Sequence, residues 1–207
     1  KFCRSCGANL GSSAAASPAN RLASLQQATP SELHQKILSA RAQMEGERKL
    51  VTVLFTDIVG STALAERLDP EDWGEIVSGA HQRVSEATYR YEGTIAQLLG
   101  DGVLAFFGAP LAHEDDAERA VRAALDIQTS IAQYERELAT KNNVKQFQMR
   151  IGINTGLVVV GNIGSDLHME YLAIGDTVNL AARLQSAAAP NTIYISTSTA
   201  RSVRHAF

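Results

Sequence analysis

The sequence predicts an α+β fold in which helices are set against a mixed or antiparallel sheet. Three observations carry the prediction. Short runs of β-branched and apolar residues recur from Lys49 onward, among them LVTVLFTDI, TIAQLL and VLAFFG. Two long amphipathic stretches, about 70–91 and 114–138, lie between them. The resulting order, strand–helix–helix–strand–strand–helix–strand–strand–strand–helix–strand, lacks the regular βα alternation of a parallel sheet and suits helices gathered on one face.

Composition agrees with a folded domain. The 207 residues are 45% hydrophobic and 20% charged, enough apolar material to fill a core. A formal net charge of −3 provides no basic field for nucleic acid or anionic lipid. No apolar stretch approaches the roughly 20 residues of a membrane span, and nothing at the start reads as an export signal. The expectation is a cytoplasmic protein with no nucleic-acid partner and no membrane span.

Taken in order, residues 1–10 hold both cysteines, Cys3 and Cys6, as a C-x-x-C pair. Such a pair is half of a four-ligand zinc ribbon. It reads as a remnant of a longer ribbon, as a Zn²⁺ site completed by a second copy or by His34, or as a redox pair. Residues 11–29 are rich in Ser and Ala and form a linker. Thr29-Pro30-Ser31-Glu32 then opens a helix over 30–48, with a capping hydroxyl, a Pro in the first turn and an acid three residues past the cap. Leu33, Ile37, Ala40 and Met44 make a short heptad seam. That seam is suited equally to a second protomer and to the helix's own domain.

From 49 to 207 the pattern is that of one domain. LVTVLFTDI is a buried strand ending on an acidic turn. A helix over 61–68 follows, and Asp69-Pro70-Glu71-Asp72 caps a longer one to Tyr91. Trp73, Tyr89 and Tyr91 read as helix packing. TIAQLL and VLAFFG form a hairpin that turns at Gly100-Asp101-Gly102. Glu114-Asp115-Asp116 start a helix reaching Leu138; the macrodipole accounts for the acids without a metal at His113. FQMRIGINTG and LVVVGNIG read as two strands and MEYLAI as a third. A helix from Asp176 to about Ala188 precedes a final strand, TIYIST.

Two aspartates stand at promising positions. Asp57 ends the first strand and Asp101 sits at the hairpin tip, so neighbouring strands would bring both carboxylates to one sheet edge, suited to hard divalent cations. Gly60-Ser61-Thr62 lead into a helix whose free N–H groups suit phosphate. Asn179 and Arg183, four apart, share a helix face. Each element alone also has a plain explanation, as turn formers or as a solvated face.

Together, VTVLFTDIVGST, LLGDGVLAFFG, RIGINTG and IGDTVNLAARLQ resemble the class III nucleotidyl cyclases, over roughly Arg48 to Phe207. The N-terminal cysteine pair and capped helix are similar to the front end of large multidomain bacterial regulators of that type. The resemblance implies a ferredoxin-like palm and a head-to-tail homodimer with sites at its interface. Asp57 and Asp101 match the metal-binding aspartates, with Ile58 lending its carbonyl, and two Mg²⁺ or Mn²⁺ ions per site are implied. Asn179 and Arg183 of the other subunit match the pair that orients ribose and takes up charge on the α-phosphate. The implied reaction is conversion of ATP, or GTP, to a 3′,5′-cyclic nucleotide and pyrophosphate, making the protein an adenylate cyclase; the alternative is a silent nucleotide-binding regulatory domain.

Two base-recognition positions depart from the family pattern. Gln97, four residues before Asp101, stands where Lys or Glu is typical. Leu172, seven before Asn179, offers no hydrogen bond. The family's further C-terminal strand pair, with a Lys for the triphosphate, is expected to be missing from these residues.

Overall fold

The computed structural model describes residues 29–41, 48–142, 144–159, 162–163, 170–171 and 176–207. Cys3, Cys6, Met44 and Leu172 lie outside this set, as does most of the linker.

The centre is strand β1 (Arg48–Ile58), whose VTVLF run alternates between the two sheet faces. It pairs antiparallel with β3 (Gly102–Phe107) on one side and with β4 (Met149–Val159) on the other. Strand β2 (Thr94–Leu99) extends the sheet beyond β3, and β7 (Ile193–Ile195) adds to β4 in parallel. The order is therefore β2-β3-β1-β4-β7, a mixed five-stranded sheet. Strands β5 (Asn162–Ile163) and β6 (Glu170–Tyr171) form a separate pair.

One sheet face turns Leu54, Ile58, Val103 and Ala105 into the main core. Helix α3 (Pro70–Arg90) covers it with Ile76, Ala80 and Val84, and α4 (Asp116–Lys141) with Ala120, Ala124, Ile127 and Ile131. The expected cap of α3 is present, since Asp69 Oδ1 accepts from the Glu71 N–H at 2.9 Å and Pro70 fills the first turn. The short α2 (Ser61–Arg67) precedes it. Trp73, Tyr89 and Tyr91 pack against this core, as expected.

The other face carries Val51, Val53, Leu104 and Phe106, and against them rests α5 (Asp176–Ala187) through Val178 and Ala181. Helices thus occupy both faces, not one. The reason lies on β4, where Gly152 and Gly156 leave room for α5 to approach the strand closely. A Cβ on Gly152 would overlap the Ala181 carbonyl and the Gln185 amide, and one on Gly156 would press the Thr177 side chain at 2.6 Å.

Two other expectations change. RIGINTG and LVVV are one continuous strand, β4, because Gly156 serves helix contact instead of a turn. After β7 the chain enters a helix, α6 (Thr197–Val203), so the expected strand TIYIST ends short, at Ile195. The Ser196 hydroxyl accepts from the Thr199 N–H at 3.2 Å, so the Ser-Thr run is a cap and first turn. The N-terminal helix, α1 (Ser31–Arg41), turns Leu33 and Ile37 into the main core, each 5% exposed. The described part of its seam therefore lies against its own domain. Lys36 of α1 also donates to Glu92, in the turn before β2, at 2.9 Å.

Candidate functional site

The register of β1 and β3 sets the two aspartates together. Thr56 lies opposite Val103, and the Val103 N–H donates to the Thr56 hydroxyl at 3.2 Å. Gly102 passes so near the Thr56 carbonyl that a Cβ would stand 2.7 Å from it. The turn reverses at Gly100, whose φ of 67° is left-handed, and this leaves Asp101 beside the end of β1. There the Ile58 N–H donates to Asp101 Oδ2 at 3.2 Å.

Asp57 is held from the opposite strand. Its partner in the β1–β4 register is Arg150, whose Nη2 donates to Asp57 Oδ2 at 2.9 Å. Arg150 Nη1 lies 3.3 Å from the Ser186 carbonyl at the end of α5, so one guanidinium joins Asp57 to that helix. Burial pushes the Asp57 carboxyl above its ordinary value, and the charge of Asp101 adds to the push. The Arg150 guanidinium and the Gln185 amide act against them. Arg150 is absent from the sequence expectations; an arginine at the start of RIGINTG signals its role only once β4 is placed next to β1.

The two half-buried carboxylates are hard oxygen donors. The mutual repulsion of Asp57 and Asp101 is what a divalent cation would relieve, so the residues fit Mg²⁺ or Mn²⁺. Among the described residues no group of three or more His, Cys, Asp and Glu could hold a metal unaided. A cation here would complete its shell with phosphate or water. His113 pairs with Glu92 at 3.0 Å and with Asp116 at 3.2 Å.

Beyond Ile58 the chain turns into α2 through Gly60, whose φ is 68° and which offers no side-chain cap. The Ser61 and Thr62 amides follow at the helix start, where orphan N–H groups gather. Gln97 lies at a register shift in β2 and pairs with Leu104. Leu104 faces Phe55, so Gln97 shares the sheet face of Phe55 and Asp57.

Helix α5 runs antiparallel to β4 with Ala181 and Gln185 buried beneath it, at 0% and 5% exposure. Asn179 and Arg183 lie on its exposed side. Among the described residues, no hydrogen bond or ion pair ties either of them to Asp57 or Asp101. The structure therefore brings Asp57, Ile58, Asp101 and Arg150 into one cluster, and sets Asn179 and Arg183 facing out. No helix among the described residues is long and apolar enough to cross a membrane.

Over 138 residues the chain is 37% identical to adenylate cyclase 1 of Rhizobium meliloti (strain 1021), which is 67% of this chain and 21% of that protein. The adenylyl cyclase CyaB of P. aeruginosa superposes with a TM-score of 0.74 at 35% identity, covering 79% of this chain and 84% of that one. The guanylyl cyclase Cya2 superposes with a TM-score of 0.72, also at 35% identity, covering 77% and 80%. The model of the adenylate and guanylate cyclase catalytic domain matches residues 44–207. The match of that family over residues 44–207, together with the fold, shows that the chain belongs to the adenylate and guanylate cyclase catalytic domain family.

Proposed function

We propose that two copies of this chain pair head to tail and convert ATP to 3′,5′-cyclic AMP and pyrophosphate at sites shared across the interface. The observation that carries this reading is the separation of two chemical halves. Asp57 and Asp101 converge at one sheet end, while Asn179 and Arg183 are exposed on α5 with no hydrogen bond or ion pair to either aspartate among the described residues. The two halves are not joined within the chain by any hydrogen bond or ion pair among the described residues, and a second copy in reverse orientation would bring one half of each chain to the other half of its partner.

Mg²⁺ or Mn²⁺ bound to Asp57, Asp101 and the Ile58 carbonyl would offset triphosphate charge and favour ionisation of the ribose 3′-hydroxyl. Arg150 and the Ile58 N–H keep the two carboxylates in their ligating poses. The Ser61 and Thr62 amides donate to phosphate oxygens. Asn179 of the partner subunit orients the ribose. As the 3′-oxygen bonds to the α-phosphorus, the bond to the bridging oxygen breaks and pyrophosphate leaves. Arg183 of the partner subunit meets the charge that grows on the α-phosphate oxygens. Gln97 presents an amide to the base; its two orientations match adenine and guanine respectively, and ATP is the substrate put forward.

The test is cyclic nucleotide formation from ATP and from GTP, side by side with Mn²⁺, over a range of protein concentrations. Product that rises faster than linearly with protein, and vanishes in Asp57→Ala, is the expected result. Absence of product from either nucleotide in a dimeric sample would overturn it. The uncharged Gln97 favours one alternative, a silent regulatory domain that binds nucleotide. Calorimetry showing tight ATP binding without turnover would select that alternative.

A further inference from the structure

Asn154 lies in the middle of β4, 4% exposed, on the face that receives α5 between Gly152 and Gly156. Its Nδ2 donates to the Thr177 carbonyl in the first turn of α5 at 2.8 Å. The Thr177 hydroxyl donates in return to the Leu157 carbonyl of β4, also at 2.8 Å. The amide is oriented from its other end. Ser198, in the first turn of α6, places its hydroxyl 3.2 Å from Asn154 Oδ1 and 2.8 Å from the Thr155 carbonyl, sharing one proton between them. Ser196 Oγ lies 2.8 Å from Ser198 Oγ and supplies a donor in turn. A flipped Asn154 would set Oδ1 against the Thr177 carbonyl, acceptor against acceptor, so only one orientation satisfies both neighbours.

We propose that Asn154, oriented by Ser198, is a positioning residue that fixes the pose in which α5 presents Asn179 and Arg183. The far end of α5 is held by Arg150 on the Ser186 carbonyl, and its middle by contact with Gly152. One strand thus grips the helix at both ends. Asn179 and Arg183 face outward, and among the described residues no hydrogen bond or ion pair anchors either of them. Their placement is inherited from the helix axis, and Thr177, the residue Asn154 holds, lies only two residues along the chain from Asn179. A small shift of reacting groups is enough to cost a large factor in rate. This role rests on the reading of Asn179 and Arg183 as the half-site offered to a second copy.

That reading makes the test a matter of which chain carries the lesion. In mixed dimers, Asp57→Ala and Arg183→Ala chains should restore one intact site, giving roughly a quarter of wild-type turnover by random pairing. Asn154→Leu alone should lose about 10–100-fold in turnover. Mixed with Asp57→Ala it should recover, because one site then combines its own intact Asp57 with an undisturbed partner α5. Mixed with Arg183→Ala it should not recover. Ser198→Ala, an exposed substitution that frees the amide, should show a smaller loss and the same sorting, and it decides the matter if Asn154→Leu does not fold.

Normal turnover in both variants, or equal recovery with both tester chains, overturns the positioning role. So does recovery with neither while the reference mixture recovers, since that is general damage. A silent reference mixture is a different result: the shared-site reading itself fails, and this role with it.

Discussion

Asp57 and Arg150 are direct cross-strand neighbours, joined at 2.9 Å, and the same guanidinium lies 3.3 Å from the Ser186 carbonyl of α5. The pair is more than a surface ion pair, since the two side chains keep only 30% and 27% of their exposure. One charged group therefore couples the aspartate cluster to the helix that carries Asn179 and Arg183. Arg150→Ala should lower kcat/KM by about 10–100-fold, as expected for a charge-assisted hydrogen bond. Arg150→Lys should restore only part, because an ammonium cannot serve two acceptors in a planar fork. Steady-state kinetics on dimeric samples, with circular dichroism to check folding, would measure both.

The seat of α5 supplies a second expectation. Gly152→Ala adds a methyl group against backbone atoms of Ala181 and Gln185, which cannot rotate aside. Overpacking of this kind costs about 1–3 kcal/mol. Gly156→Ala meets only the side chain of Thr177 and should cost less. Urea denaturation of both variants would check the order, and turnover should fall more in Gly152→Ala.

Gln97 shares the sheet face of Asp57 and lies at a break in strand register. With the uncharged amide, selectivity between ATP and GTP should be modest. Gln97→Lys should move the ratio of kcat/KM values toward ATP and Gln97→Glu toward GTP, each by about 10-fold. Competition assays with both nucleotides present would read that ratio. A ratio that does not move would place the base elsewhere.

Glu92 gathers Lys36 of α1, His113 and Arg119 of α4, and these hold its carboxyl below the ordinary value of 4.5, the Lys36 hydrogen bond most of all. A carboxyl with a lowered folded value stabilises the fold above the unfolded value and loses that contribution as pH falls through the folded one. Wild type should therefore exceed Glu92→Gln by about 0.5–1 kcal/mol at neutral pH, given the solvent access of its partners. The gap should close below pH 4.5 and shrink in high salt. Urea midpoints across pH would test it.

Much of this was legible in residues. The LVTVLFTDI strand, the Asp69-Pro70 cap and the Gly-Asp-Gly turn each carry a local physical signature, and each stands where expected. The meeting of Asp57 with Asp101 follows from strand neighbourhood, which the four spaced motifs imply. What stayed hidden depends on partners distant in sequence. Arg150 has no local mark, and its meaning comes from a register opposite Asp57. Gly156 looks like a turn former until α5 is laid upon it. Ser196 and Thr197 end the run TIYIST that reads as a strand, and the Ser196 hydroxyl bonded to the Thr199 amide makes them a helix start. The helix from Ser31 had two suitable neighbours, and Leu33 and Ile37 are buried in the core of its own chain.

The close approach of α5 to β4 at Gly152 has a consequence at the level of codons. Every amino-acid change reachable from a glycine codon by one base adds at least a Cβ, so Gly152 has no mild neighbour in mutational space. Most core positions can drift through similar side chains in small steps. Gly152 cannot, because the Ala181 carbonyl and Gln185 amide already occupy the first atom of any such step. Change at this position has to come with a compensating shift of α5, and that shift would carry Asn179 and Arg183 along with it.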